Sequence, residues 1–245
     1  MTVHVEPCMG TVFTIDVRDP GDWTGPIAEV VGWLHRVDAV FSTFRPDSDL
    51  SRLHRGELAL ADAAPHLAKV LDLCDRCEAE TDGFFTARWR GVPDPTGLVK
   101  GWAVERASEL LRGHGSRDHA VNGGGDVQLA GESAPGRPWR VGISDPADAQ
   151  KILTVVTGRD FAVATSGTAE RGAHIVDPVT SAPARTFTAV TVTGPSLTRA
   201  DAYATAAVAM GDRVFDWARG LREYDVLVVE SGEERWVTAG RRTPA

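Results

Sequence analysis

Cysteine is scarce in this 245-residue sequence, long apolar runs and an excess of basic charge are missing, and each lack excludes something. There are three cysteines, Cys8, Cys74 and Cys77. An odd, low number rules out a disulfide framework and predicts reduced thiols. None is needed for stability, since a chain of this length buries roughly 70–75% of its unfolded surface. No run approaches 18 consecutive apolar residues, so no segment reads as a membrane-spanning helix. With 26 Lys+Arg against 34 Asp+Glu, the net charge of −8 argues against a nucleic-acid-binding surface. The opening MTVHVEPCMG has neither a basic n-region nor an apolar h-region, which predicts a cytoplasmic protein without a secretory signal. Two phosphate-binding signatures are absent as well. No GxGxxG opens a helix and no GK[ST] occurs, against a Rossmann dinucleotide site and a Walker A loop. What remains, 42% hydrophobic and 24% charged, is the composition of an ordinary globular protein.

The spacing of the apolar residues predicts four helices. Ile27, Val30, Val31, Leu34, Val37 and Phe41 form one stripe, beginning near Pro26. Leu67, Val70, Leu71, Cys74 and Cys77 form a second, which reads the CxxC as core packing and not as half a zinc site. A third helix follows Lys100 and Gly101 and stops at Gly113 or Gly115; a fourth, very rich in alanine, runs from about Arg199 to Met210. Segments rich in Val, Ile and Thr predict strands at 11–17, 120–130, 140–144, 152–157, 162–165, 188–193, 226–230 and 235–238. Helices fall mainly in the first half and strands in the second. This order predicts an α+β fold, a mixed or antiparallel sheet with packed helices, in a single domain over 1–245.

Four constellations could carry chemistry. Asp201 and Thr205 stand at i, i+4, where a carboxylate and a hydroxyl on one helix face suit a hard cation such as Mg²⁺; in isolation the pair is common, and a dipole-favoured Asp with a back-bonded Thr is its usual explanation. Asn122-Gly123-Gly124-Gly125-Asp126 interrupts a strand-like segment, as a bulged corner or a close approach to a ligand. In Asp94-Pro95-Thr96-Gly97-Leu98-Val99-Lys100-Gly101, a lysine placed at a helix start sits against the dipole unless an anion binds there. His174, beside Ile175, is either a packed side chain or a group titrating near neutral pH.

Taken in order, these segments resemble the flavin transferase family known as the thiamine-biosynthesis lipoprotein family, the FAD:protein FMN transferases. The matching landmarks are Met9-Gly10-Thr11, FSTFRPDSDLSRLH (41–54), TDGFF (81–85) and DPTGLVKGWAVERA (94–107), followed by VNGGGDV (121–127), ATSG (164–167), HIVDPVTSAP (174–183) and DAYATAAVAMG (201–211). The resemblance implies a Mg²⁺-dependent enzyme that splits the pyrophosphate of FAD, links FMN to a Thr or Ser of an acceptor protein and releases AMP. It implies Asp201, Thr205 and the Gly97 carbonyl as metal ligands. It assigns Met9, Phe44, Phe84, Phe85, Thr86, Asp94, Lys100 and Ile175 to the flavin nucleotide, and has the glycine strand 123–125 admit the cofactor. His174 is the general-base candidate on chemical grounds.

The sequence departs from the family pattern at several of these places. Phe44 stands for a Tyr, Thr86 for an Asp, His54 for an Asn, Ala169 for an aromatic residue and Ser181 for a Gly, and the loop between Thr86 and Asp94 is short. No apolar run precedes Cys8, so lipid anchoring there is not expected. These departures keep two alternatives beside the transferase: a FAD pyrophosphatase giving FMN and AMP, and a flavin-binding protein without turnover.

Overall fold

The computed structural model describes residues 1–88, 92–167, 175–230 and 233–237. Its centre is an eight-stranded sheet in the order β1-β2-β3-β4-β8-β9-β10-β11, every pairing antiparallel. The strands are β1 (Thr2–Cys8), β2 (Thr11–Val17), β3 (His119–Gly123), β4 (Asp126–Ala130), β8 (Ala162–Gly167), β9 (Ala189–Gly194), β10 (Asp225–Glu230) and β11 (Glu233–Trp236). A smaller sheet of β5 (Glu132–Ala134), β6 (Arg137–Asp145) and β7 (Asp148–Gly158) packs Trp139 and Ile143 against Val127, Leu129, Val163 and Leu227 of the large sheet. The α+β expectation with an antiparallel sheet is therefore met.

The helices are α1 (Thr24–Phe41), α2 (Asp49–His54), α3 (Pro65–Glu80), α4 (Thr96–Gly113), α5 (Leu197–Met210) and α6 (Val214–Arg219). The predicted stripes on α1 and α3 are the buried faces, down to Cys74 and Cys77. Burial pushes the Cys77 thiol up to about 12, so it packs as a small hydrophobe and not as a metal ligand. Trp33 of α1 donates its indole N–H to the Ala103 carbonyl of α4 at 3.0 Å and stacks edge-on against Trp102, which locks α1 to α4.

Three expectations are corrected. The third helix begins at Thr96, not after Gly101; just ahead of it the Asp94 carboxylate accepts the Thr96 N–H at 3.1 Å and the Thr96 hydroxyl at 2.7 Å, satisfying one of the N–H groups that a first turn leaves unpaired. The segment 120–130 is two strands, not one. Gly124 (φ +60°) and Gly125 (φ +99°) make a two-residue hairpin turn between the paired residues Gly123 and Asp126. Strand β1 is an edge strand that holds Pro7, and the proline hides it from a propensity reading.

Candidate functional site at the crossing of α4 and α5

Alanine makes α5 thin enough to bury. All its residues are buried except Arg199 and Thr205. It crosses α4 so closely that a Cβ on Gly101 would lie 2.7 Å from the Leu197 carbonyl oxygen and 2.8 Å from the Asp201 Cβ. Only glycine fits there. The Gly101 N–H donates to Asp201 Oδ2 at 2.9 Å. In an α-helix that N–H belongs to the carbonyl four residues back, so the Gly97 carbonyl at best shares its donor with the carboxylate. Asp201 is 5% exposed. One turn on, the half-buried Thr205 has its hydroxyl 3.3 Å from that of Ser166 on β8.

Lys100 lies in the second turn of α4, so the dipole conflict expected at a helix start does not arise. Its ammonium forms an ion pair with Asp126, whose side chain is 2% exposed. Asp126 Oδ1 also accepts the Thr165 N–H at 3.0 Å. Packing explains two of the glycines before it: a Cβ on Gly123 would meet Phe13 at 2.7 Å, and one on Gly124 would meet the Thr11 hydroxyl at 2.7 Å; Gly125 has open space around it and is set by its φ of +99°. They make a tight turn between crowded strands, in keeping with the corner reading of this run.

The other sequence candidates take up varied positions. Met9 is half-buried at φ +52° in the β1–β2 turn, and the neighbouring turn is tied to that hairpin by Gly124 N–H donating to the Val12 carbonyl at 3.2 Å. Phe85 is buried, with its ring 3.3 Å from where a Gly97 Cβ would stand. Phe84 is half-buried beneath the Arg213 guanidinium, 5.3 Å from the ring centroid. Arg213 also faces Asp177 at 3.8 Å across a hollow of about 590 Å³ that includes Ala184, Arg185 and Met210 in its wall. Ile175 is buried and accepts the Ala184 N–H at 2.9 Å. Burial opposes ionisation of Asp177, yet the Val179 N–H and the Thr180 hydroxyl and N–H hold its carboxyl below the ordinary range. Phe44 is 94% exposed in the loop between α1 and α2. His174 lies outside the described residues, as does Ala169.

The departures find local partners. The Thr86 hydroxyl donates to Glu78 at 3.2 Å and accepts the Arg88 N–H at 3.1 Å. His54 Nε2 contacts the Pro93 carbonyl at 2.5 Å, joining α2 to the loop before Asp94. Ser181 holds φ +58°, the left-handed geometry in which the family's glycine is at ease.

A family model described as the ApbE family matches residues 9–92 and 94–228, which takes in every described element around this crossing. The chain belongs to the ApbE family. Among its ApbE-type relatives, a FAD:protein FMN transferase from Vibrio cholerae is 33% identical over 49% of this chain and 39% of its own length. A FAD:protein FMN transferase from Haemophilus influenzae is 24% identical over 91% of this chain and 86% of its own. The curated relatives matched at 30% identity or more are each matched over no more than 40% of their length. A solved structure of the flavin transferase ApbE from Vibrio cholerae shares the fold with a TM-score of 0.80, at 24% identity and 96% coverage of both chains. Among the described residues, no helix is long and apolar enough to cross a membrane.

Four residues at this crossing carried no role in the sequence reading: Gly101, Asp126, Thr165 and Ser166. Asp126 and Ser166 lie inside recognised landmarks, but their partners are 26 and 39 residues away. The one local signal was a carboxylate ending a glycine run inside a strand pattern.

Proposed function

We propose that this chain transfers FMN from FAD to a Thr or Ser hydroxyl of an acceptor protein, with Mg²⁺ bound and AMP released. The reading is carried by the α4–α5 crossing, where the Gly101–Asp201 bond sets the Lys100 turn of one helix beside the Asp201–Thr205 turn of the other. It is supported by the names of the relatives, all FAD:protein FMN transferases.

The donor set suits the metal. A carboxylate (Asp201), a hydroxyl (Thr205) and a carbonyl with a shared donor (Gly97) are hard oxygen ligands, of the sparse kind Mg²⁺ takes with water and phosphate oxygens. Among the described residues, no group of three or more His, Cys, Asp or Glu could hold an ion, which speaks against a softer or all-protein site. When bound, the ion supplies neutralisation of the pyrophosphate and of the departing AMP oxygen. Lys100 directs its ammonium at the same phosphates. Phosphoryl transfer asks mainly for positioning and charge compensation, which this arrangement offers. The acceptor hydroxyl oxygen forms a bond to the FMN phosphorus while the bond from that phosphorus to the oxygen leading to AMP breaks. AMP leaves with that oxygen, and His174 takes the hydroxyl proton. Met9, Phe44, Phe84, Phe85, Thr86, Asp94 and Ile175 are assigned to holding the flavin nucleotide. Residues 1–245 act as one unit in the cytoplasm, a placement supported by the acidic composition and the free, buried Cys8, Cys74 and Cys77.

The test is incubation with FAD, Mg²⁺ and a protein domain bearing the family's acceptor Thr, read by mass spectrometry. Covalent FMN on the acceptor is expected, with loss of at least about a hundredfold in rate for Asp201→Ala. No adduct where a control transferase works would sink the reading. AMP release without acceptor would instead identify a FAD pyrophosphatase, and stable FAD binding without turnover, indifferent to Asp201→Ala, a flavin-binding protein.

A further inference from the structure

The glycine run ends in a buried carboxylate to which the reading above gives no part. Asp126 is 1% exposed, a costly place for a charge unless it is paired and hydrogen-bonded. Both of its oxygens are engaged across elements. Oδ2 meets the Lys100 ammonium of α4, and Oδ1 accepts the Thr165 N–H of β8 at 3.0 Å. The next residue along β8 is Ser166, whose hydroxyl lies 3.3 Å from that of Thr205 on α5. One carboxylate thus joins the helix carrying the lysine to the strand that touches the candidate metal-binding threonine.

We propose that Asp126 is a positioning residue of the phosphate subsite: it aims the Lys100 ammonium and fixes Thr165–Ser166 against Thr205. The proposal rests on the reading that Lys100 meets the phosphates of FAD. A lysine head on a four-carbon stem samples many rotamers, and a fixed counter-charge selects one of them. The ion pair holds the ammonium at one place on the rim of the crossing, where its charge can meet phosphate oxygens. Lys100 keeps 27% of its side chain exposed, so solvent and ligand can reach it. The turn serves this directly. Asn122 Oδ1 accepts the Gly125 N–H at 3.1 Å, the two positive-φ glycines close the hairpin, and Asp126 enters β4 opposite Gly123.

The experiment compares Asp126→Asn, Lys100→Gln and the double variant, titrating FAD in Mg²⁺ and, separately, riboflavin, which has no phosphate. Asparagine keeps an oxygen for the Thr165 N–H and removes the charge. Asp126→Asn should weaken FAD binding about tenfold and leave riboflavin within about twofold, and in the Lys100→Gln background it should add less than about twofold. Multiplying effects in the double variant, or equal weakening of riboflavin, would show a merely structural Asp126. A second readout needs no ligand. The sequence has only three lysines, Lys69, Lys100 and Lys151, so their ammonium resonances can be separated by NMR. Lys100 should exchange its ammonium protons far more slowly than the other two, and should lose that protection in Asp126→Asn. An ammonium exchanging as fast as those of Lys69 and Lys151 overturns the proposal, even where Asp126→Asn does not fold. Failure of the wild-type chain to bind FAD would instead overturn the transferase reading, leaving the exchange rate to decide on Asp126.

Discussion

Two buried polar networks start from opposite ends of the β3–β4 hairpin, and they differ in whether they open. At one end, His119 is fully buried between two serines: Nε2 meets the Ser108 hydroxyl at 2.7 Å, and Nδ1 that of Ser116 at 2.8 Å. Ser116 in turn donates to Asp19 at 2.8 Å, and Asp19 accepts the Arg117 and Asp118 N–H groups, each at 3.0 Å. The histidine finds its partners inside, so this network holds the fold and has nothing to offer a ligand. At the other end, Asp126, Lys100, Thr165, Ser166 and Thr205 form a chain whose lysine and threonine are only partly covered. Equivalent chemistry gives stability where it closes on itself and a candidate site where it ends half-open.

The largest effect expected lies in the closed network. Burial pushes the His119 imidazole down to about 4 from the ordinary 6.5. Between those values the unfolded chain binds a proton that the folded chain does not. Stability present above pH 6.5 is therefore lost as the pH falls toward 4, by up to about 3 kcal/mol. Urea unfolding of wild type and His119→Gln across this window should converge at low pH; parallel curves would count against a closed network. Next in size is Gly101→Ala. The new methyl meets a backbone carbonyl and Cβ and should cost about 2 kcal/mol, with FAD affinity falling as α4 and α5 part. A loss of stability without a change in affinity would detach the crossing from function.

The sharpest test of the comparison is a matched pair of serines. Ser116→Ala leaves His119 and Asp19 short of a partner and should cost about 1.5 kcal/mol by calorimetry with little change in FAD binding. Ser166→Ala, on the half-open side, should cost less than about 0.5 kcal/mol and act instead on FMN transfer. Reversal of that pattern breaks the distinction between the two networks.

Local regularities were legible in the sequence. The stripes of α1 and α3 run as their spacing requires, and Cys74 and Cys77 pack where a 3.6-residue period puts them. The landmarks around Asp94, Lys100, Asp201 and Thr205 fall on or beside α4 and α5, the two helices that cross. Long-range pairings were not legible. Lys100 looked stranded at a helix start because neither Asp94 bonded to the earlier first turn nor Asp126 across the sheet leaves a trace at neighbouring positions. His119 sits in HAVNG, an unremarkable strand, and its two serines lie 11 and 3 residues before it, in α4 and the loop after it. The glycine run stood out, with a strand corner and a ligand approach both open. Its cost in backbone freedom indicated a constraint without saying whether a ligand or a neighbouring strand imposed it.

The turn at Gly124–Gly125 has a consequence for how this protein can change in length. Side chains alternate faces along a strand, so one residue inserted between Gly123 and Asp126 would carry the carboxylate to the far side of the sheet or shift the register of β3 against β4. Spacing is fixed there as firmly as the glycines themselves. The β5–β6 hairpin, whose Gly136 has φ +71° and open space around its Cα, has no such duty and can absorb insertions. Growth and shrinkage of the chain are thus channelled away from one rim of the sheet, which works as a ruler for the position of a single charge.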